Sequence, residues 1–530
     1  MFGCTETKKK VDLIIHHATV YTVDDGFAIQ EAFAVKDGKF IAVGSNQAIL
    51  DNYKSKNMVD AEGRAVYPGF IDAHCHFYGY GYNLLKRADL IGTKSFGEVI
   101  EKIREHFDKY QPEWLEGRGW DQNDWDVKEF PTKELLDEAF PNVPVYLTRI
   151  DGHAAIANSE ALKRAGITGQ TKVNGGEVLL KNGEPTGLLI DNAMELVSNI
   201  IPLPDHDEIQ KMLLAAEEKC FGVGLTSVHD AGLEKSTIDL IDQMQKDSLL
   251  KMRIYAMISP TGENLDHLLD KGPYLTDRLT VRSVKLYADG ALGSRGAKII
   301  EPYSDDPGNT GMFMFEPEYY KTICLRALEH GFQVNTHAIG DAGNRFVLNL
   351  YAEFLKGNND LRWRIEHAQV VHPDDFKLFG EYSIIPSVQP THATSDMYWA
   401  EDRLGQERIK GAYAYQQLLA ENGWIPLGTD FPVEDINPIF TFYAAVSRKD
   451  LQGWPQGGFQ PENALSREET LKGMTIWAAK AAFEEDVKGS IEAGKFADFL
   501  ILENDLMKEQ MADVPGIKVK STWLNGEKVY

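Results

Sequence analysis

The amino-acid sequence predicts an α/β fold organised around a (β/α)8, TIM-like barrel, and three observations carry that expectation. Short apolar runs recur along the chain, each closed by turn chemistry and each ending on a polar side chain. Counted from His74, candidate strands end near His76, His229, Met257, Tyr287, His337, His367, Gln389 and Asp430, with mostly helix-like stretches between them. At 530 residues and 43% hydrophobic the chain can also bury a sizeable core. A barrel of parallel strands gathers the C-terminal ends of its strands on one face, where those polar ends would meet.

Taken in order, residues 11–44 alternate apolar and polar side chains, with turns at Asp24-Asp25-Gly26 and Asp37-Gly38, and read as hairpin strands. The first barrel run, Pro68-Gly69-Phe70-Ile71-Asp72-Ala73-His74-Cys75-His76, places two histidines two residues apart. Residues i and i+2 of a strand face the same side, so both imidazoles converge while Cys75 turns away. That is a metal-ligand geometry, although His-x-His alone is weak evidence and the case rests on the later runs.

A further apolar run at residues 143–150 falls between the first and second barrel strands and is assigned to an insertion spanning about 110–205. The insertion carries Gly119-Trp120-Asp121-Gln122-Asn123-Asp124-Trp125, an aromatic and polar mix suited to lining a pocket and equally to packing the insertion onto the barrel. It also carries Asp151-Gly152-His153. Downstream, the runs deliver Lys285 before Ala288-Asp289-Gly290, His337, His367 after Glu366, and Asp430 after Thr429. His229 reads as a core histidine, and His16, His17, His106, His206, His267, His330, His372 and His392 read mostly as surface or loop residues. Residues 489–502 and 517–530 again look like hairpin strands. Neither end of the chain could close a core alone.

A formal net charge of −25 argues against nucleic acid and anionic membranes as partners, since both demand a basic surface. Cysteines 4, 75, 220 and 324 form no Cys-x-x-Cys pair and suggest no disulfide framework. No apolar stretch reaches the length of a transmembrane helix. Phe2-Gly3-Cys4-Thr5-Glu6 resembles the tail of a bacterial lipoprotein signal as much as it does an ordinary terminus. A cytoplasmic protein and an exported lipoprotein trimmed before Cys4 are both compatible with it.

Together, Gly69 to His76, Arg149 to His153, Lys285 to Ala297, His337 to Asp341, Ile365 to Gln369, Ser387 to Pro390 and Thr429 to Val433 resemble the amidohydrolase superfamily, in particular amidohydrolase family 3, the branch that includes N-substituted formamide deformylases. The resemblance implies a hydrolase acting on a non-peptide carbon–nitrogen bond through metal-activated hydroxide. Its metal ligands would be His74, His76, His337, His367, Asp430 and Lys285, the last carboxylated so that its carbamate bridges one or two divalent ions, zinc by expectation. Burial favours such a carbamate by keeping the lysine amine neutral. Asp430 would shuttle the proton, with His153 assisting at the carbonyl. Trp120, Asp121, Trp125, Asp289, Arg295 and Gln389 are the expected contacts of a small-molecule substrate. A lactone or ester hydrolase, a deaminase, and a non-catalytic binding or regulatory protein remain alternatives. The resemblance also implies that residues 1–64 and 481–530 form one small β-sandwich domain around a barrel at 65–480. Self-association is compatible with all of this.

Overall fold

In the computed structural model, which describes residues 8–530, strands Phe70–Cys75, Leu225–Leu233, Arg253–Ile258, Leu279–Tyr287, Gln333–Ala338, Arg364–His367 and Ile385–Ser387 lie side by side in that order. Each is parallel to the next. Helices such as His206–Gly222, Lys235–Lys246, Pro317–His330 and Asp341–Leu355 cross between them and bury their apolar faces on the barrel. Helix His206–Gly222 starts on a capping box in which Asp205 accepts from Glu208 N and the Glu208 side chain accepts from Asp205 N.

The eighth strand of the expectation is not a regular strand. Leu427 joins Val388 by a single parallel bridge. The barrel nevertheless closes through this segment: Gly428 N donates to Val388 O at 3.1 Å on one side, and on the other Ala73 N donates to Leu427 O at 3.2 Å and Asp430 N to His74 O at 2.8 Å. Pro426 has no N–H to give a ladder, and Asp430 leaves the extended region with φ 62°. Gly428 is required by proximity, because a Cβ there would fall 2.6 Å from His74 N.

The ends of the chain share two sheets. One holds Lys39–Gly44, Ala32–Lys36, Leu13–His16 and Met58–Asp60; the other holds Glu527–Lys528, Val519–Leu524, Phe499–Leu502, Ala65–Pro68, Thr19–Tyr21 and Ile29–Gln30. Phe33, Phe40, Phe499 and Trp523 fill the space between them, with Phe499 stacked on Trp523 at 5.3 Å. Ala65–Pro68, which the sequence reading assigned to the barrel, therefore pairs within the sandwich and runs straight into the first barrel strand.

The insertion forms a mixed sheet in the order Ala88–Asp89, Leu115–Trp120, Val145–Arg149, Ala154–Ala157, Glu184–Asp191, Gly176–Lys181. It begins at Ala88, upstream of residue 110, because the short strand Ala88–Asp89 and the helix Phe96–Tyr110, N-capped by Ser95, already belong to it. The sheet stands over the C-terminal mouth of the barrel and supplies one wall of a cavity of about 810 Å³. Cys75, Cys220 and Cys324 are buried and unpaired, whereas Cys4 lies outside the described residues. Among the described residues no helix is long and apolar enough to cross a membrane.

Candidate active site

The polar ends of the barrel strands meet at the mouth. His74, His367 and Asp430 bring one potential ligand atom each to within 4.8 Å of one another, and all three are buried. His76 Nε2 lies 3.2 Å from Asp430 Oδ1, Lys285 Nζ lies 3.1 Å from His74 Nε2, and the His337 ring is centred 4.6 Å from that of His367. The backbone bends to achieve this. His367 and Asp430 hold φ values of 75° and 62°, a left-handed conformation that costs a non-glycine residue about 1–3 kcal/mol. Ladder bonds and packing on both sides sustain it.

Each histidine has one ring nitrogen committed. His74 Nδ1 bonds Glu366 Oε2 at 2.6 Å, His367 Nδ1 bonds Gln389 Oε1 at 2.7 Å, His76 Nδ1 bonds Ala231 O at 3.1 Å and His337 Nε2 bonds Gly290 O at 3.3 Å. Committing one nitrogen fixes the tautomer and frees the other as a lone-pair donor. Burial lowers the pKa of His74 to about 4, helped by the Lys285 charge, and burial holds His337 and His367 well below the usual range. Glu366 stays ionised because Arg364, His74 and Lys285 outweigh the burial that opposes its charge. Burial likewise lowers Lys285 to about 8. Asp289, the acid best placed in sequence to pair with Lys285, instead accepts backbone N–H bonds from Lys298, Ile339 and Gly340.

These donors fit a divalent cation. Neutral imidazoles, an ionised carboxylate and a buried amine of lowered pKa converge, and Asp430 Oδ1 is buried without a hydrogen bond among the described residues. Burial works against the charge of Asp430, but the His392 and His76 imidazoles beside its oxygens hold its pKa well below the usual carboxylate value.

Among the remaining sequence-predicted residues, His153 lines the cavity, bonds Asp191 Oδ1 through Nδ1 at 2.8 Å and stands 4.9 Å from the His337 ring. Burial would lower its pKa, yet the Asp191 bond and charge raise it. Asp121 also lines the cavity, tied to Arg149. Trp120 and Trp125 do not reach the cavity. Both are buried in the core of the insertion, with Trp120 Nε1 donating to Leu147 O at 2.9 Å and the two rings 6.0 Å apart. Asp289 is spent on backbone, Arg295 pairs with Asp305 at 2.9 Å away from the cavity, and Gln389 holds His367.

His392, read from sequence as a loop or surface residue, is a buried member of the site. Its Nε2 lies 3.4 Å from Asp430 Oδ2 and its Nδ1 lies 2.9 Å from Glu434 Oε1. Burial opposes its charge, but the two carboxylates raise its pKa to about 10. The available signal was position, since His392 opens the helix Pro390–Asp396 directly after the last regular barrel strand. The aromatic side chains that do line the cavity include Tyr146, Tyr287, Phe315 and Trp399.

Residues 57–530 match the model of a family described as the amidohydrolase family. The chain is similar to Protein LONG AFTER FAR-RED 3 of Arabidopsis thaliana, at 35% identity over 98% of this chain and 91% of the relative. It is similar to the N-substituted formamide deformylase of Arthrobacter pascens, at 26% identity over 97% of each. Among solved structures, an uncharacterized metal-dependent hydrolase from Pyrococcus horikoshii OT3 superposes with a TM-score of 0.77 at 27% identity, covering 94% of this chain and 99% of the other.

Proposed function

The chain belongs to the amidohydrolase family, and on that premise we propose that it is a metal-dependent hydrolase that cuts a non-peptide carbon–nitrogen bond. Its metal would be held by His74, His76, His337, His367 and Asp430, with carboxylated Lys285 as a further ligand. The observation that carries the reading is the buried convergence of His74, His367 and Asp430 beside a buried lysine. One or two divalent ions, zinc by the chemistry of the donors, activate water and polarise the substrate carbonyl when bound.

The side chains supply the rest. Burial of Lys285 beside His74 lowers its pKa to about 8 and so raises the share of free amine, the form that carbon dioxide needs to make a carbamate. His392 faces Asp430 Oδ2, and Oδ1, which makes no well-formed hydrogen bond although His76 Nε2 stands 3.2 Å away, is the oxygen that takes a proton from water and returns it to the leaving nitrogen. His153, held by Asp191, presents its Nε2 side to the cavity as a donor to the carbonyl oxygen. Glu366 and Gln389 are positioning residues that fix His74 and His367. The formamide deformylase relative supports a small acyl group at the metal.

The test is elemental analysis of purified and zinc-reconstituted protein, followed by a panel of N-formyl and N-acyl amines, lactones and aminated heterocycles. Metal at one or two ions per chain with turnover of the amides is expected. A chain that binds no metal after reconstitution, or that turns over only lactones or only ring amines, overturns the assignment.

A further inference from the structure

One wall of the cavity carries a cation that has no counter-ion among the described residues. Arg118 and Thr148 are partners across the parallel strands Leu115–Trp120 and Val145–Arg149, and Glu116 is opposite Tyr146. Alternation puts these four side chains on one face of the inserted sheet, and Arg118, Tyr146 and Thr148 all line the cavity. The neighbouring arginines are spoken for: Arg149 is paired with Asp121 and Asp151, and Arg87 with Glu116 at 3.2 Å. Arg118 has no ion pair within 4.0 Å among the described residues. Its Nη2 donates to Ile150 O at 3.0 Å, and its Nε is buried without any hydrogen bond.

Its place relative to the metal donors follows from Gly152. A Cβ on that residue would lie 3.3 Å from Arg118 Nη1 and 3.4 Å from Nη2, so the guanidinium rests against the Asp151-Gly152-His153 turn. Gly152 has φ 75°, which suits a residue without a side chain. The next residue, His153, stands 4.9 Å from His337. The cation therefore faces the same cavity as His153 and His337.

We propose that Arg118, with the Tyr146 and Thr148 hydroxyls beside it, is a subsite for a carboxylate on the part of the substrate remote from the scissile bond. This rests on the amide-hydrolase reading for the identity of that bond, and not for the subsite itself. A guanidinium partly withdrawn from water, with Nε buried and no opposite charge beside it, is costly, and burial lowers the pKa of Arg118 to about 10. A carboxylate answers its planar donor fork with two oxygens, and flanking hydroxyls can donate to the same group. Exposed acids Asp124, Glu195 and Asp435 rim the mouth, so selection does not come from long-range attraction. It comes from inside, where a desolvated charge pair is strongest. The amine side of the substrate is then anionic rather than merely apolar.

The experiment compares formate release from 4-(formamidomethyl)benzoate and its neutral isostere 4-(formamidomethyl)benzamide by the zinc-loaded wild type, Arg118→Gln and Arg118→Lys. The ratio of kcat/KM for acid over amide should fall by about 10- to 100-fold in Arg118→Gln, the loss expected for a charged hydrogen-bonded pair, and recover in part in Arg118→Lys. Calorimetric binding of phenylacetate against phenylacetamide to the same proteins reads the subsite without turnover. A carboxylate can also ligate the metal, so the diagnostic quantity is the difference between wild type and variant. An unchanged ratio in both measurements overturns the proposal. If neither formamide is hydrolysed but phenylacetate binding still depends on Arg118, the amide reading fails and the subsite stands. Should Arg118→Gln not fold, Thr148→Val must lower the same ratio.

Discussion

The barrel mouth and the inserted sheet face the same cavity, yet their side chains obey different rules. At the mouth, every strand points the same way and ends at the same level, so a polar residue at a strand end has one place to go. His74, Lys285, His337 and His367 all arrive there. In the insertion the strands have two faces, and only one of them looks into the cavity. A residue type in an insertion says little until its face is known. Trp120 shows why. Plain alternation would put it on the same side as Arg118, but the register shifts between these two residues, and Gly119 sits there with φ 109°. The bulge turns Trp120 over, into the core with Leu115 and Leu147, and leaves Arg118 as the cavity residue.

The contrast predicts loss of chemistry at the mouth and loss of stability in the insertion. The largest effect belongs to His74→Ala combined with His76→Ala, or to Lys285→Ala alone: metal and turnover should both vanish by elemental analysis and assay. A short carboxylic acid should restore part of each in the lysine variant, and full activity in that variant refutes its role. Asp430→Asn should keep much of its metal while kcat falls by about 100-fold or more, as when a proton-transfer group is removed. Wild-type rates in that variant would take Asp430 out of the reaction. Trp120→Ala should cost about 3–5 kcal/mol in denaturant unfolding, the range for emptying a buried tryptophan. It should leave the preference among amine groups unaltered, and a changed preference would return Trp120 to the pocket.

The smallest effect is one of pH, read on metal-stripped protein. His74 is held neutral in the fold down to about 4 by burial, whereas a histidine in the unfolded chain titrates near 6.5. Between those values the unfolded chain binds more protons than the folded one, so stability falls as pH falls through that window. Thermal melts from pH 7 to 4 in the presence of a chelator should show this slope, and His74→Asn should make it shallower. Equal slopes would show that His74 is not the group responsible.

Sequence and structure agree best where local patterning and tertiary constraint coincide. The apolar runs that end at His76, His337 and His367 are strands because their alternation and their closing turns say the same thing. The eighth segment was visible as a run but not as an irregular one, although Pro426, Gly428 and the close approach of His74 make a regular ladder there impossible. His392 was hidden for another reason: its partners Asp430 and Glu434 are distant in sequence, and nothing around it in the chain announces two carboxylates. Arg118 carries no motif of its own, and the glycine between it and Trp120 is the one local mark of the bulge that sends the two side chains to opposite faces.

Asp505 accepts hydrogen bonds from Tyr21 at 2.9 Å and from Tyr67 at 2.8 Å, across separations of 484 and 438 residues. During synthesis the sandwich strands of the N-terminal end therefore emerge long before Phe499–Leu502, the strand that pairs directly with Ala65–Pro68. The barrel becomes the loop that this contact closes. Closure entropy grows only slowly with loop length, so the cost at equilibrium is modest, but contacts of such long range form late. Until they form, Ala65–Pro68 lacks its neighbour on one side, and the strand that follows it bears His74 and His76. Pairing with Phe499–Leu502 thus steadies the strand that leads directly into His74 and His76, so residues more than 400 positions downstream help to anchor the first two ligands.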